Sequence, residues 1–315
     1  MKAKLFIASG ALAAIVWAAP IVGAAHYIAR PVANEGRTLA QQPLAARFRV
    51  ENGRGLLLRI WLNGSGPYVF ALDTGAGMNV IAQRVVTEIK LPTEAAPSTY
   101  VGGLTSSRIV SNREAIISQM AVGERGNALP SSQTALIVSN LPPDIDGIID
   151  PTQAYAPLGY SIDLPNEQIE ALGADGVQTR AAGSEGAVVA WIRKAADDSR
   201  PFVRLGDGRL ALLDTGSSFG LAVNERNAVI VGNNRENGSA GARDIAGGII
   251  RSRRVSPTTI SIGELVLRRI PTDILFGVHE DAPLILGRDA LYPFKISFDP
   301  RRRLIAFVAS SQNSN

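Results

Sequence analysis

The sequence contains no cysteine and only two histidines, His26 and His279. Without cysteine there is no thiol nucleophile, disulfide, thiolate-held zinc or protein-held iron–sulfur cluster. His26 belongs to an N-terminal targeting-type segment, so one imidazole is left for the folded part. A Ser-His-Asp triad could use it, but a zinc site of two or three imidazoles could not be built. Carboxylates are the remaining tools for hydrolytic chemistry. Charge of one sign is also scarce: 32 basic and 28 acidic residues leave a net charge of +4. The clusters at Arg251, Arg253 and Arg254, at Arg268 and Arg269, and at Arg301–Arg303 read as solvated strand faces. No basic stripe or nucleic-acid-binding module accompanies them, so no nucleic-acid partner is expected.

What is present is a globular composition, 46% apolar and 19% charged. The 315 residues suffice for two lobes, and 31 glycines and 18 prolines favour β structure. Lys2 and Lys4 precede an uncharged run, Leu5–Ala25, ending in the small residues Gly23-Ala24-Ala25. A basic start and an apolar run signal export, and the run is long enough to remain as a membrane-spanning helix. Either way the rest of the chain is expected beyond the membrane, in the periplasm or facing it. The expected organisation is 1–25 signal peptide or inner-membrane anchor, 26–44 tether, 45–171 first lobe, 172–186 linker, 187–309 second lobe and 310–315 tail.

Past Arg47, short apolar runs alternate with turn residues. Gly55–Leu62 and Tyr68–Leu72 read as strands about the turn Asn63-Gly64-Ser65-Gly66, and Ala82–Ile89 as a short helix. Further strands are expected at Arg108–Val110, Ala115–Met120 and Ala135–Val138, then at Ala187–Ile192, Leu210–Leu213, Thr258–Ile262 and Leu265–Arg269. Four landmarks recur in order. Asp73-Thr74-Gly75 returns as Asp214-Thr215-Gly216, 141 residues on, and Gly102-Gly103 returns as Gly247-Gly248, 145 on. Ile148-Ile149-Asp150 returns as Ile285-Leu286-Gly287, 137 on, and Ser161-Ile162-Asp163 as Ser297-Phe298-Asp299, 136 on. Near-constant offsets mark a duplicated β lobe.

Each Asp-Thr-Gly follows an apolar strand. Phe70–Gly75 (FALDTG) and Leu212–Ser217 (LLDTGS), with Ile285–Leu291 (ILGRDAL) near the end, resemble the aspartic peptidases of the retropepsin and pepsin superfamily. The similarity covers roughly residues 47–309 and is nearest to exported bacterial two-lobe aspartyl proteases. It implies an all-β fold of two similar lobes with a cleft between them, behind the N-terminal hydrophobic helix. It implies Asp73 and Asp214 as the catalytic dyad, supported by Thr74, Gly75, Thr215, Gly216 and Ser217. Thr74 and Thr215 would bond across the lobes. Gly102, Gly103, Gly247 and Gly248 would lie in flaps closing over substrate, with Tyr100 a candidate contact; for each glycine pair a plain hairpin turn remains the other reading. A polypeptide substrate is implied, with a monomeric active unit and neither metal nor organic cofactor.

Ala76 and Ser217 break the symmetry of the repeat. A Ser217 hydroxyl donating to Asp214 would favour its charged form, leaving the proton on Asp73. Asp150 stands where the family has glycine. It either points away after local rearrangement or adds a third acid beside the dyad. The alternative function is therefore a catalytically inactive peptide-binding protein on the same scaffold. A β-rich envelope structural protein is disfavoured by the ordered repeat. Asp144–Asp150 (DIDGIID) lacks the full spacing of a calcium loop. Asn63-Gly64-Ser65 and Asn237-Gly238-Ser239 match glycosylation acceptors that turn chemistry explains. His279 reads as a surface residue.

Overall fold

The computed structural model describes residues 12–13, 42–173, 175–177, 186–195, 198–230 and 235–310. The fold is all-β. Apart from residues 12–13 and 42–44, the expected N-terminal helix and tether lie outside the described residues, as does most of the linker. Among the described residues no helix is long and apolar enough to cross a membrane. Leu12–Ala13 lies parallel to Arg243–Asp244 at a sheet edge.

The first lobe is built on a nine-stranded sheet. Its strand Gly55–Leu62 turns through Asn63 and Gly64 into Ser65–Leu72. Both turn residues have positive φ, 50° and 81°, the geometry of a two-residue type I′ hairpin and the reason Asn-Gly stands there. The Asn63 carboxamide oxygen accepts from Ser118 Oγ and the Gln119 N–H. Leu56, Leu58, Ile60 and Leu62 alternate onto one face and are fully buried, as the two-residue period requires. Each such side chain contributes about 1.5–3 kcal/mol.

The ends of the strands leading into the two Asp-Thr-Gly sequences are placed by an arrangement that both halves share. Gly147–Ile149 inserts between Ser65–Leu72, to which it is parallel, and Val80–Ala82, to which it is antiparallel. In the second half Leu284–Gly287 inserts in the same way between Leu210–Asp214 and Leu221–Asn224. The helices Gln83–Ile89, Pro151–Ala154 and Arg288–Leu291 are short.

A third, six-stranded sheet joins the halves. Its central pairing sets Tyr160–Asp163 antiparallel to Phe294–Asp299, with Ser161 opposite Ser297. These serines are repeat equivalents, and their hydroxyls bond to each other at 2.8 Å. The local two-fold axis relating the halves therefore passes between them. Tyr160 stacks on Phe298 at 4.8 Å beneath this pairing.

Some elements differ from the sequence reading. Arg108–Ile117 is one strand, and Met120–Val122 is a separate one paired with Gly55–Leu62. Thr258–Ile262 and Leu265–Arg269 are only the turn-proximal ends of Ile249–Ile262 and Leu265–Phe276. Register shifts interrupt the long strands, which masks their continuity in an alternation pattern.

Candidate active site

Asp73 directly follows the strand Ser65–Leu72 and Asp214 ends the strand Leu210–Asp214, and both are fully buried. Apolar strands carry them inward: Phe70, Leu72, Leu212 and Leu213 have no exposure. The Gly75 N–H donates to Asp73 Oδ1 at 2.7 Å, and the Ser217 N–H to Asp214 Oδ1 at 3.1 Å. Gly216 adds a second main-chain donor to Asp214. A Cβ at Gly75 would stand 3.0 Å from Asp214 Cγ and 3.2 Å from Asp73 Oδ1. Glycine is thus required there by close approach, and that approach locates both carboxylates around one point. The two carboxyls stand close enough to bear directly on each other's ionisation. The remaining oxygens, Asp73 Oδ2 and Asp214 Oδ2, are buried without a hydrogen-bond partner in the protein.

The threonines form a reciprocal grip. The Thr74 N–H donates to Thr215 Oγ1 at 3.1 Å and the Thr215 N–H to Thr74 Oγ1 at 3.0 Å. Each hydroxyl then donates to the opposite strand, Thr74 to Leu213 O at 2.8 Å and Thr215 to Leu72 O at 3.3 Å. Every bond crosses between the halves, so the grip fixes the spacing of the aspartates.

The two carboxyls are not equivalent. Burial, then the Asp214 charge, holds the Asp73 carboxyl well above the usual range, and the Gly75 donor offsets this only in part. Burial also raises Asp214, but neighbouring Asp73, the Arg288 charge and the Ser217 and Gly216 N–H groups favour its ionised form. These surroundings favour the proton of the pair on Asp73 and the charge on Asp214.

That polarity matches the sequence expectation, but its expected cause is corrected. The Ser217 hydroxyl does not donate to Asp214; it accepts from the Phe219 N–H at 3.3 Å. The positive charge comes instead from Arg288, which is buried and donates to Thr215 O at 2.6 Å. Arg288 stands in the quoted ILGRDAL segment, yet nothing in its spacing distinguishes it from a solvated helix arginine.

Asp150 resolves as a local rearrangement. In the second half the Gly287 N–H bonds to Gly220 O, and a Cβ on Gly287 would lie 2.4 Å from Phe219 O. In the first half the Asp150 N–H bonds instead to the Asn79 side-chain oxygen at 3.0 Å. Replacing a main-chain acceptor by a side-chain one leaves room for a carboxylate. That carboxylate caps Pro151–Ala154 through the Thr152 N–H at 2.9 Å. Asp144 pairs with Arg54 and Asp146 with Arg84, so the acids of this stretch point to separate partners.

Both glycine pairs lie at hairpin tips, and the tips meet. Thr93–Gly102 and Arg108–Ile117 form the first hairpin, Arg235–Asp244 and Ile249–Ile262 the second. Buried Asp244 accepts from the Thr105 N–H at 3.0 Å, the Thr105 hydroxyl at 2.5 Å and the Gly248 N–H at 2.7 Å. A Cβ on Gly103 would lie 2.1 Å from Asp244 Cβ, and one on Gly248 1.9 Å from Thr105 Oγ1. Leu104 is buried against Phe219, Ala222 and Ile285 of the second half. Gly102 ends the first strand before the tip, and Gly247, with φ 82°, shapes the second turn. Tyr100 lies back from the tip, half-buried and opposite Val110. His279 is 43% exposed at its side chain, as a surface residue should be. Sequence spacing gave no sign of Asp244, which meets Thr105 across 139 residues.

Asp244→Ala is expected to strand two tip N–H groups and free the hairpins. Amide exchange at Thr105 and Gly248 should accelerate at least about tenfold, since a bond to a carboxylate is worth about 1.5–3 kcal/mol. Unchanged protection would disprove the clasp.

The aspartyl protease family profile matches residues 58–150. No curated protein matches the chain. The matched span holds Asp73-Thr74-Gly75, the first hairpin and the inserted strand Gly147–Ile149, and over it the chain is similar to the aspartyl protease family.

Proposed function

We propose that the chain is an aspartic-type endopeptidase in which Asp73 and Asp214 act on one water molecule. The observation that carries this reading is the pair of fully buried carboxyls held together by the reciprocal threonine grip. The Asp214 carboxylate takes a proton from water while the Asp73 carboxyl donates to the scissile carbonyl oxygen. The water oxygen bonds to the carbonyl carbon and gives a neutral tetrahedral diol. A proton then passes to the amide nitrogen, the C–N bond breaks, and an acid and an amine leave. Asp73 is reprotonated from the diol hydroxyl, so the pair returns to its starting state.

The substrate is an extended polypeptide, bound by strand-like pairing under the hairpin tips. The tips exclude water once closed. Both lobes come from one chain, so a monomer holds the whole site. Lys2, Lys4 and the apolar run after them support export, with the lobes on the periplasmic side and the inner membrane as a partner if the run is retained.

The test is cleavage of mixed peptides from about pH 3 to pH 8, with products identified by mass. A bell-shaped profile is expected. Burial raises both members of the pair, so its acid limb lies above the range in which an exposed aspartate titrates. Peptide binding without cleavage at any pH would favour the catalytically inactive alternative.

A further inference from the structure

Asp150 holds a buried carboxyl that the proposed chemistry does not use. It follows Ile149, whose carbonyl accepts the Asp73 N–H at 3.1 Å, so it stands one strand over from the catalytic residue, at a spacing of about 4.8 Å. One of its oxygens, Oδ1, accepts from the Thr152 N–H. The other, Oδ2, lies 3.1 Å from the Ser199 hydroxyl, and that hydroxyl lies 3.1 Å from Gly77 O. Gly77 belongs to the loop that begins with Asp73. Ser199 comes from the second half, on a segment held from both sides. Arg200 and Asp198 form a two-point ion pair, and Trp191 Nε1 donates to Arg200 O at 3.0 Å.

A serine hydroxyl has one proton to give. It cannot donate to Asp150 and to Gly77 at once. With Asp150 protonated on Oδ2, every group is satisfied: Asp150 donates to Ser199, and Ser199 donates to Gly77 O. With Asp150 ionised, the hydroxyl turns to the carboxylate and Gly77 loses its partner from the second half. We propose that Asp150 and Ser199 are positioning residues, forming a proton-dependent tie that holds the Asp73 loop against the second lobe and releases it when Asp150 ionises. This rests on the peptidase reading only for its effect on rate.

The groups facing Asp150 bear on when it ionises. Asp73 stands on the adjacent strand, Tyr160 behind the helix shares Thr152 as a partner, and the Arg200–Asp198 pair flanks Ser199. Burial pushes the Asp150 carboxyl up to about 7, against the donors from Thr152 and Ser199. The tie is thus complete below that pH and opens above it.

Asp150→Asn provides a sharp test, because asparagine reproduces the protonated geometry at every pH. Its oxygen accepts from Thr152 and its amide donates to Ser199. In the full chain, the Gly77 carbonyl 13C shift should titrate near neutral pH in the wild type. It should be flat in Asp150→Asn and in Ser199→Ala. In cleavage, Asp150→Asn should keep kcat within about threefold of its maximum at a pH where the wild type has lost about tenfold. Ser199→Ala should be about tenfold lower in kcat throughout, with KM little changed. Removing the Asp150 charge without any tie would move the alkaline limb the other way, because that charge favours the proton on Asp73. A Gly77 shift that ignores pH in the wild type, or titrates equally in Ser199→Ala, overturns the tie. The spectroscopic arm stands even if no peptide is cleaved, so failure of the tie and failure of the peptidase reading are separable.

Discussion

Asp73→Asn and Asp214→Asn should each abolish peptide cleavage, by at least about 10³-fold, or about 4 kcal/mol of transition-state stabilisation. Each removes half of a proton exchange that the other carboxyl cannot perform alone. Neither substitution should destabilise the fold. Both native carboxyls are raised by burial, Asp73 most strongly. A raised carboxyl contributes stability that is complete below its unfolded value, about 4, and is lost as pH rises through the folded value. Asparagine carries no such penalty. Both variants should therefore melt at or above the wild-type temperature near neutral pH, with a flatter dependence on pH. Loss of activity with retained or increased stability is the signature of a site kept strained for its chemistry. An equal loss of stability and activity would instead assign these aspartates to structure.

Thr74→Val and Thr215→Val should show the opposite pattern. Valine keeps the shape but supplies no hydroxyl. At Thr215 the change strands the Thr74 N–H and Leu72 O; at Thr74 it strands the Thr215 N–H and Leu213 O. Each buried group left unpaired costs about 1–3 kcal/mol, so each variant, with two, should lose about 2–6 kcal/mol in denaturant melts. The loss of spacing should lower kcat more than it raises KM, and serine should restore most of both. The four bonds form one network, so the double variant should fall short of the sum of the singles by about 0.5–3 kcal/mol. Additive effects would mean that the threonines act independently.

The parts of this architecture legible in the sequence share a cause. They are local, or they recur. Asn63-Gly64 specifies its turn through its own backbone preferences. The apolar strands ending in Asp-Thr-Gly declare both the buried strand and the polar group at its tip. Repetition then identifies which strand ends meet, and Ser161 even pairs with its own copy, Ser297. The parts not legible depend on partners remote in the chain and unrepeated. Asp244 at the tips, Ser199 beside Asp150 and Arg288 behind Thr215 have no equivalents in the other half to mark them. Ser217 was misread because its hydroxyl and its N–H are equally available to Asp214 in the sequence, and only the backbone direction decides between them. The sequence leaves two placements open for Asp150 because the Asn79 side chain that accepts its N–H lies 71 residues away.

The central claim is that two halves of one chain build one carboxyl pair. The most direct measurement mixes Asp73→Asn chains with Asp214→Asn chains and follows peptide cleavage against the wild type. The account predicts that wild-type activity is proportional to chain concentration and that the mixture stays inactive at every ratio. Activity restored by mixing, or a wild-type rate that rises faster than concentration, would contradict a dyad assembled within the single chain.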